Sequence, residues 1–214
     1  SITEIEDYHI YPIADNDSPK LSADRLEYTL SDGLVTQDAF SLESIRKIYN
    51  DLAILKNEDN QDELGFKTLE IAEEYIERAS KMWHLFSGNN ENNIIMQFWT
   101  DILKKMAELK YLTEKDLYKY SEKEIVEKIK KCPNGKIRNA FNIFENSTKI
   151  GRSETEIKNK YCISIIAKKR YTNPLVLMNG KPIRIENASK KGKEIIKDIK
   201  NFKDSKYAFL NINL

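Results

Sequence analysis

The sequence predicts an α+β fold, predominantly α-helical, with a helical region over residues 1–150 and a small antiparallel sheet with one helix over residues 151–214. Three observations predict it. Apolar residues recur at helical spacing from about residue 19 to residue 110. Past Gly151 the period changes to alternation. Asn179-Gly180 then stands between two short apolar runs, and Asn-Gly suits both left-handed positions of a type I′ hairpin turn.

Each element follows in order. Ser18-Pro19 predicts a helix start, with serine as the cap and proline at the first helical position, and the helix runs to Gly33. After Ser41 a second helix carries Leu42, Ile45, Ile48, Tyr49, Leu52 and Leu55 at helical spacing. The polar stretch Lys56 to Glu63 reads as a loop. A long third helix sets Leu69, Ala72, Tyr75, Ile76, Ala79, Met82, Trp83 and Phe86 on one stripe, and Ser87-Gly88-Asn89-Asn90 ends it. The fourth, about Glu91 to Lys110, is apolar over a broad arc through Ile94, Ile95, Phe98, Trp99, Ile102, Leu103 and Met106. It belongs near the centre of the helical part.

Shorter helices come next. Ser121 with Glu124 makes a capping box for one that stops before Cys132-Pro133-Asn134-Gly135, and another covers Lys136 to Asn146. Tyr161 to Tyr171 reads as a strand, with Ile163 and Ile165 alternating against polar neighbours. Leu175 to Met178 and Lys181 to Ile185 are the hairpin arms, followed by a charged helix, about Lys190 to Phe202, and a last strand, Tyr207 to Ile212. There is no internal repeat and no low-complexity segment.

Composition narrows the function classes. The chain has 214 residues, 40% hydrophobic and 32% charged, with a formal net charge of +1. That balance gives no electrostatic footprint for nucleic acid or an anionic membrane, and Lys168-Lys169-Arg170 and Lys190-Lys191-Gly192-Lys193 read as surface charge. No apolar run approaches the length of about 20 residues that spans a bilayer. Nor does the N-terminus show a basic-then-apolar signal pattern. The cytoplasm is the expected compartment. Cys132 and Cys162, far apart and without CxxC spacing, read as two reduced thiols. Because the chain starts at Ser1 and runs straight into IEDYHIYPIADNDSP, an excised fragment of a longer protein is expected.

The chemistry concentrates on the first helix. At about 100° per residue, Asp24, Tyr28 and Asp32 fall within roughly an 80° arc, with Ala23, Leu26, Leu30 and Leu34 opposite. One face therefore packs on the core, and the other presents carboxylate, phenol and carboxylate in a line. A divalent cation takes anionic oxygen ligands from rigid elements. An aspartate near a helix start also complements the helix dipole, and on the pattern alone that plainer role prevails.

The segment Tyr11-Pro12-Ile13-Ala14-Asp15-Asn16-Asp17-Ser18-Pro19-Lys20-Leu21-Ser22-Ala23-Asp24-Arg25-Leu26-Glu27-Tyr28 resembles the last metal-binding helix of HD-domain metal-dependent phosphohydrolases. It is nearest to the branch of deoxynucleoside triphosphate triphosphohydrolases. More loosely, Lys168-Lys169-Arg170-Tyr171-Thr172-Asn173-Pro174-Leu175 is similar to a basic strand leading to a Pro-Leu pair in the C-terminal region of related proteins. The resemblance implies that residues 1–150 hold the C-terminal part of an HD domain with accessory helices. In that superfamily a His, an adjacent His-Asp pair and a later Asp hold a divalent metal. Asp24 matches the later Asp. Tyr28 and Asp32 match a Tyr and an Asp that contact the sugar of the substrate, and Arg25 would pair with phosphate or with a ligand carboxylate.

The resemblance further implies a divalent metal in the complete protein, with Mn, Mg, Fe, Ni and Zn not distinguished, and none bound tightly by this chain. His9 and His84 are the only histidines, and neither precedes an Asp. His84 reads as a helix-packing residue. The expected partners are an N-terminal segment carrying the His and His-Asp motif, a phosphate-containing small molecule, and a second copy of the chain. Alone, the polypeptide is expected to be inactive. The contrasting expectation is a helical interaction or regulatory module, with Trp83, Phe98 and Trp99 forming a partner groove.

Overall fold

Cap residues set where the helices start. Residues 10–35, 39–86, 90–164, 169 and 171–212 are described by the computed structural model, Phe86 by its backbone alone. Expectations for Ser1, His9, Ser87-Gly88-Asn89, Ile165, Lys168 and Arg170 fall outside the described residues. The first helix, α1 (Ala23–Val35), begins one turn later than Ser18-Pro19 suggests. Ser22 caps it, its Oγ accepting from the Arg25 N–H at 3.2 Å. The groups expected to start the helix dock a loop instead. Ser18 Oγ donates to the Tyr171 carbonyl (2.8 Å), and the Pro19 carbonyl accepts from the Asn173 N–H (2.7 Å).

Helix α2 (Leu42–Asp51) has a reciprocal cap between Ser41 and Ser44, and it ends at Asp51, earlier than its apolar spacing implies. Leu52 turns extended and opens β1 (Leu52–Lys56), which pairs antiparallel with β2 (Asp62–Phe66). Thus the apparent loop at Lys56 to Glu63 is a hairpin. Its turn is held by Asn57, whose Oδ1 accepts from the Asp59 and Gln61 N–H groups at 3.0 Å each. The long helices α3 (Leu69–Phe86) and α4 (Asn90–Glu108) lie where the stripes place them. Next come α5 (Glu114–Lys119), capped by Thr113, then α6 (Glu122–Lys130) with the Ser121–Glu124 box, and α7 (Gly135–Glu145), capped by Asn134. Short strands β3 (Gly151–Ser153) and β4 (Tyr161–Ile163) precede the hairpin β5 (Leu175–Met178) and β6 (Lys181–Arg184). Asn179 and Gly180 take φ of 50° and 78°, as a type I′ turn requires. The short α8 (Ile185–Ala188), α9 (Lys190–Asn201) and β7 (Tyr207–Leu210) close the order.

The α+β, mostly helical class therefore holds. Contacts divide the chain into two compact units, Ser1–Gly88 with Lys168–Phe202 and Asn89–Ala167 with Lys203–Leu214. This differs from a division at residue 150, because strands distant in sequence pair within each unit. In the first unit the sheet order is β1-β2-β5-β6, and β2 lies parallel to β5 through Gly65↔Leu175 and Phe66↔Val176. Its core gathers Leu26 and Leu30 of α1, Ile48 of α2, Tyr75 and Ile76 of α3, and Val176 of β5.

In the second unit β7 lies between β3 and β4, antiparallel to both. The core there is aromatic at its centre. Phe98 stacks on Phe144 at 4.2 Å between centroids, Trp99 meets Phe141 edge-on at 5.6 Å, and Phe98 meets Tyr161 edge-on at 5.4 Å. Tyr161 donates its phenol to Asp101 at 2.7 Å; burial, and then that carboxylate, push the phenol's pKa up. Among the described residues no helix is long and apolar enough to cross a membrane.

Candidate functional site

Helix α1 divides its residues between two faces as its spacing predicts, except that Ala23, expected on the core arc, is exposed and Leu34 is only half-buried. Leu26, Leu30 and Gly33 are buried, whereas Asp24, Tyr28 and Asp32 are exposed. Glycine at position 33 follows from close approach. A Cβ there would lie 2.4 Å from the Phe40 ring and 2.8 Å from Met82 Sδ. Along the exposed face, Arg25, Tyr28, Thr29 and Asp32 line a cleft of about 360 Å³ within the first unit. From α3 come Ser80 and Trp83 among others, Tyr171 and Thr172 come from the segment before β5, and α9 adds Ile195, Ile196 and Ile199. The cleft therefore has an apolar side and a side of hydroxyls with one carboxylate.

Arg25 lines this cleft, but its guanidinium is committed elsewhere. Nη1 donates to Asn16 Oδ1 (2.6 Å) and the Lys20 carbonyl (2.5 Å), while Nη2 bonds the Asn16 carbonyl and reaches Asp15 Oδ1 (3.4 Å). The fork holds residues 15–20 against the start of α1. That loop also occupies the helix end, because the Ala23 and Asp24 N–H groups donate to the Ile13 and Ala14 carbonyls (2.8 and 3.1 Å). These bonds place Arg25 as a clamp on protein rather than as an open phosphate ligand.

Asp24 sits in the first turn of α1, exposed, and is not part of the cleft wall. His84 packs edge-on against Trp83 and Phe202 and meets Asp198 through Nε2 at 2.8 Å. Among the described residues no three His, Cys, Asp or Glu side chains converge, so the groups present do not form a metal site. The three aromatics expected to form a partner groove are divided between the two units. Trp83 belongs to the first unit and is 7% exposed, while Phe98 and Trp99 pack in the core of the second.

Two polar groups beside the cleft were not legible in the sequence. Tyr75 is fully buried, and its hydroxyl lies near Thr29 and Thr172 without a hydrogen bond of good geometry. Burial pushes its pKa up to about 12, against smaller opposing effects of the two threonines. The Trp83 indole N–H is likewise buried without a partner. Burying a polar group unpaired costs about 1–3 kcal/mol, so two beside one cleft are uncommon company. The chain matches no family model, no curated protein and no solved structure.

Proposed function

We propose that this chain is the C-terminal portion of an HD-type metal-dependent phosphohydrolase acting on a nucleotide or another phosphate ester. The observation that carries the reading is the arrangement on α1: Asp24 in the first turn, with Tyr28 and Asp32 one and two turns on along the cleft wall. The buried side of the same helix makes that face rigid, as a binding constellation requires. A divalent ion would take Asp24 as one ligand and draw the others from a His and His-Asp segment outside this sequence. One aspartate is too few ligands to hold such an ion tightly. By themselves the residues present carry no hydrolytic step, and this polypeptide alone is inactive. The cytoplasm, which keeps Cys132 and Cys162 as free thiols, is the compartment that suits a nucleotide substrate.

Two measurements test the proposal. Incubated with manganese and a panel of deoxynucleotides, this polypeptide releases no phosphate; metal-dependent turnover would refute the inactive half-site. Translation of the coding sequence upstream of Ser1 shows a His-Asp pair, and the chain extended to include it hydrolyses a phosphate ester until Asp24→Ala removes the activity. A start codon directly before Ser1 overturns the enzyme reading in favour of a binding module.

A further inference from the structure

Asn-Gly-Lys occurs twice in this chain, as Asn134-Gly135-Lys136 and as Asn179-Gly180-Lys181, and the fold puts the two copies in opposite circumstances. Asparagine before glycine carries a latent reaction. The backbone nitrogen of the glycine can close on the side-chain carbonyl carbon of the asparagine, and a residue without Cβ leaves that approach unhindered. Ring closure needs an amide side chain that is free to turn and a backbone nitrogen that is free to move. The residues that follow are the same in both copies, so any difference in reactivity comes from the fold.

At Asn134 both groups are tied. Asn134 caps α7, its Oδ1 accepting from the Lys136 and Ile137 N–H groups at 2.9 and 3.4 Å. Gly135 is the first residue of that helix, and Arg138 reaches back over it to the Cys132 and Pro133 carbonyls. Ring closure there has to break the cap first. At Asn179 neither group is tied. Asn179 and Gly180 are the two central residues of the β5–β6 turn, both exposed, and the backbone pair that closes it is Met178↔Lys181. The N–H groups of the central residues stand outside the ladder in such a turn. Among the described residues nothing hydrogen-bonds the Asn179 side chain, and a Cβ on Gly180 would meet nothing within 4 Å. Solvent therefore reaches both reacting atoms.

We propose that Asn179 is a self-modifying site, which closes to a succinimide and opens to isoaspartate, a substrate for carboxyl methylation. Hydroxide takes the proton of the Gly180 nitrogen, and that nitrogen bonds to Asn179 Cγ. The Cγ–Nδ2 bond breaks, and Nδ2 leaves as ammonia with a proton from water, which restores the hydroxide. Water then opens the ring on one of two sides. Breaking the new bond at Cγ gives aspartate, which a type I′ turn accepts. Breaking the bond from the Gly180 nitrogen to the Asn179 backbone carbonyl carbon gives isoaspartate, whose main chain runs through Cβ and Cγ and is one carbon longer. Only water is consumed, and nothing is oxidised or reduced. The extra carbon matters here because register in a hairpin is fixed by the length of its loop. β6 is an edge strand beside β5, and it carries Arg184 to Glu58 and Glu63. Isoaspartate at 179 therefore loosens the hairpin and with it the Arg184 pairs. This chemistry is independent of phosphohydrolase activity.

The test incubates the whole chain in warm, mildly alkaline buffer, folded in one sample and unfolded in urea in another. Isoaspartate is located by methyl transfer from labelled S-adenosylmethionine with an isoaspartyl methyltransferase, followed by peptide mapping. In urea the two asparagines react alike. In the folded chain isoaspartate gathers at 179 about five- to tenfold faster than at 134, the margin that a helix cap supplies. Equal rates at the two positions in the folded chain, or no isoaspartate at 179, overturn the assignment. Thermal melting then compares the purified isoaspartyl form with Asn179→Asp, which carries the other product. The isoaspartyl form melts lower. Equal Tm values overturn the effect on the hairpin.

Discussion

Arg184 grips Glu63 with both prongs of its guanidinium, Nη1 to Oε1 at 2.6 Å and Nη2 to Oε2 at 2.8 Å, and the Glu63 side chain is wholly buried. The same carboxylate accepts from the Leu21 N–H (3.2 Å) and Asn57 Nδ2 (3.3 Å), so β2, β6 and the loop before α1 meet on one residue. Removing Glu63 takes the acceptor from the Leu21 N–H and the Asn57 amide and leaves Arg184 with Glu58 as its remaining carboxylate partner, which costs about 1–3 kcal/mol. Glu63→Ala is expected to lower the stability of the first unit by that amount. Urea unfolding followed through Trp83 in a Trp99→Phe background measures it. A loss under 1 kcal/mol would show that the pair is dispensable.

Acid should weaken the same unit. Hydrogen bonds from Arg184 hold the Glu58 carboxyl at about 2, and those from Lys191 and Lys81 hold Glu77 at about 2, against an ordinary 4.5. Carboxyls depressed in the folded state stabilise it fully above the unfolded value, and that contribution is lost as pH falls through the folded one. The Tm is therefore expected to stay flat from neutral pH to about 5 and to fall between about 4.5 and 2. Both side chains are well exposed, so 1 M salt should flatten the fall. Thermal scans of wild type and the Glu58→Gln, Glu77→Gln double variant check it, and an identical acid limb in the two would contradict this assignment.

Gly33 sets two effects against each other. Alanine gains about 1 kcal/mol of helix propensity over glycine. Its Cβ would lie 2.4 Å from the Phe40 ring, and overpacking a closed contact costs about 1–3 kcal/mol. Steric cost is expected to win, so Gly33→Ala destabilises the first unit and perturbs the cleft wall that Met82 helps to form. A raised Tm would mean that Phe40 and Met82 yield freely.

Arg25→Ala should release the loop over residues 15–20, because four hydrogen bonds end on this one guanidinium. A cost of about 1.5–3 kcal/mol is expected, typical of hydrogen bonds to a charged group. Faster amide exchange over residues 13–24 is the readout. Arg25→Lys should recover little, since an ammonium cannot reproduce a planar fork.

Local signals were well legible in the sequence. Asn179-Gly180, the box of Ser121 and Glu124, and the apolar stripes of α3 and α4 each report on neighbours within a few residues, and each stands as expected. Leu52 to Leu55 misled because a short apolar run suits a helix or a strand equally. Its strand character comes from pairing with Asp62 to Phe66, where Glu63 is polar yet buried. The face of α1 with Tyr28 and Asp32 was visible from periodicity. Its opposite walls were not, because Thr172 and Ile199 reach the cleft only through tertiary packing. Tyr75 looked like any stripe residue, since nothing local marks an unpaired hydroxyl.

Strand β7 is the middle of its three-stranded sheet, yet it is the last of the three to leave the ribosome. Until Tyr207 to Leu210 emerge, β3 and β4 have no common neighbour to bind, and the sheet of the first unit likewise waits for Leu175 to Arg184. Vectorial synthesis thus leaves both units open-edged until those strands emerge. Stalling near residue 167 would present two half-built sheets at once, the nascent state in which such a chain is most exposed to strand-capturing chaperones and to aggregation.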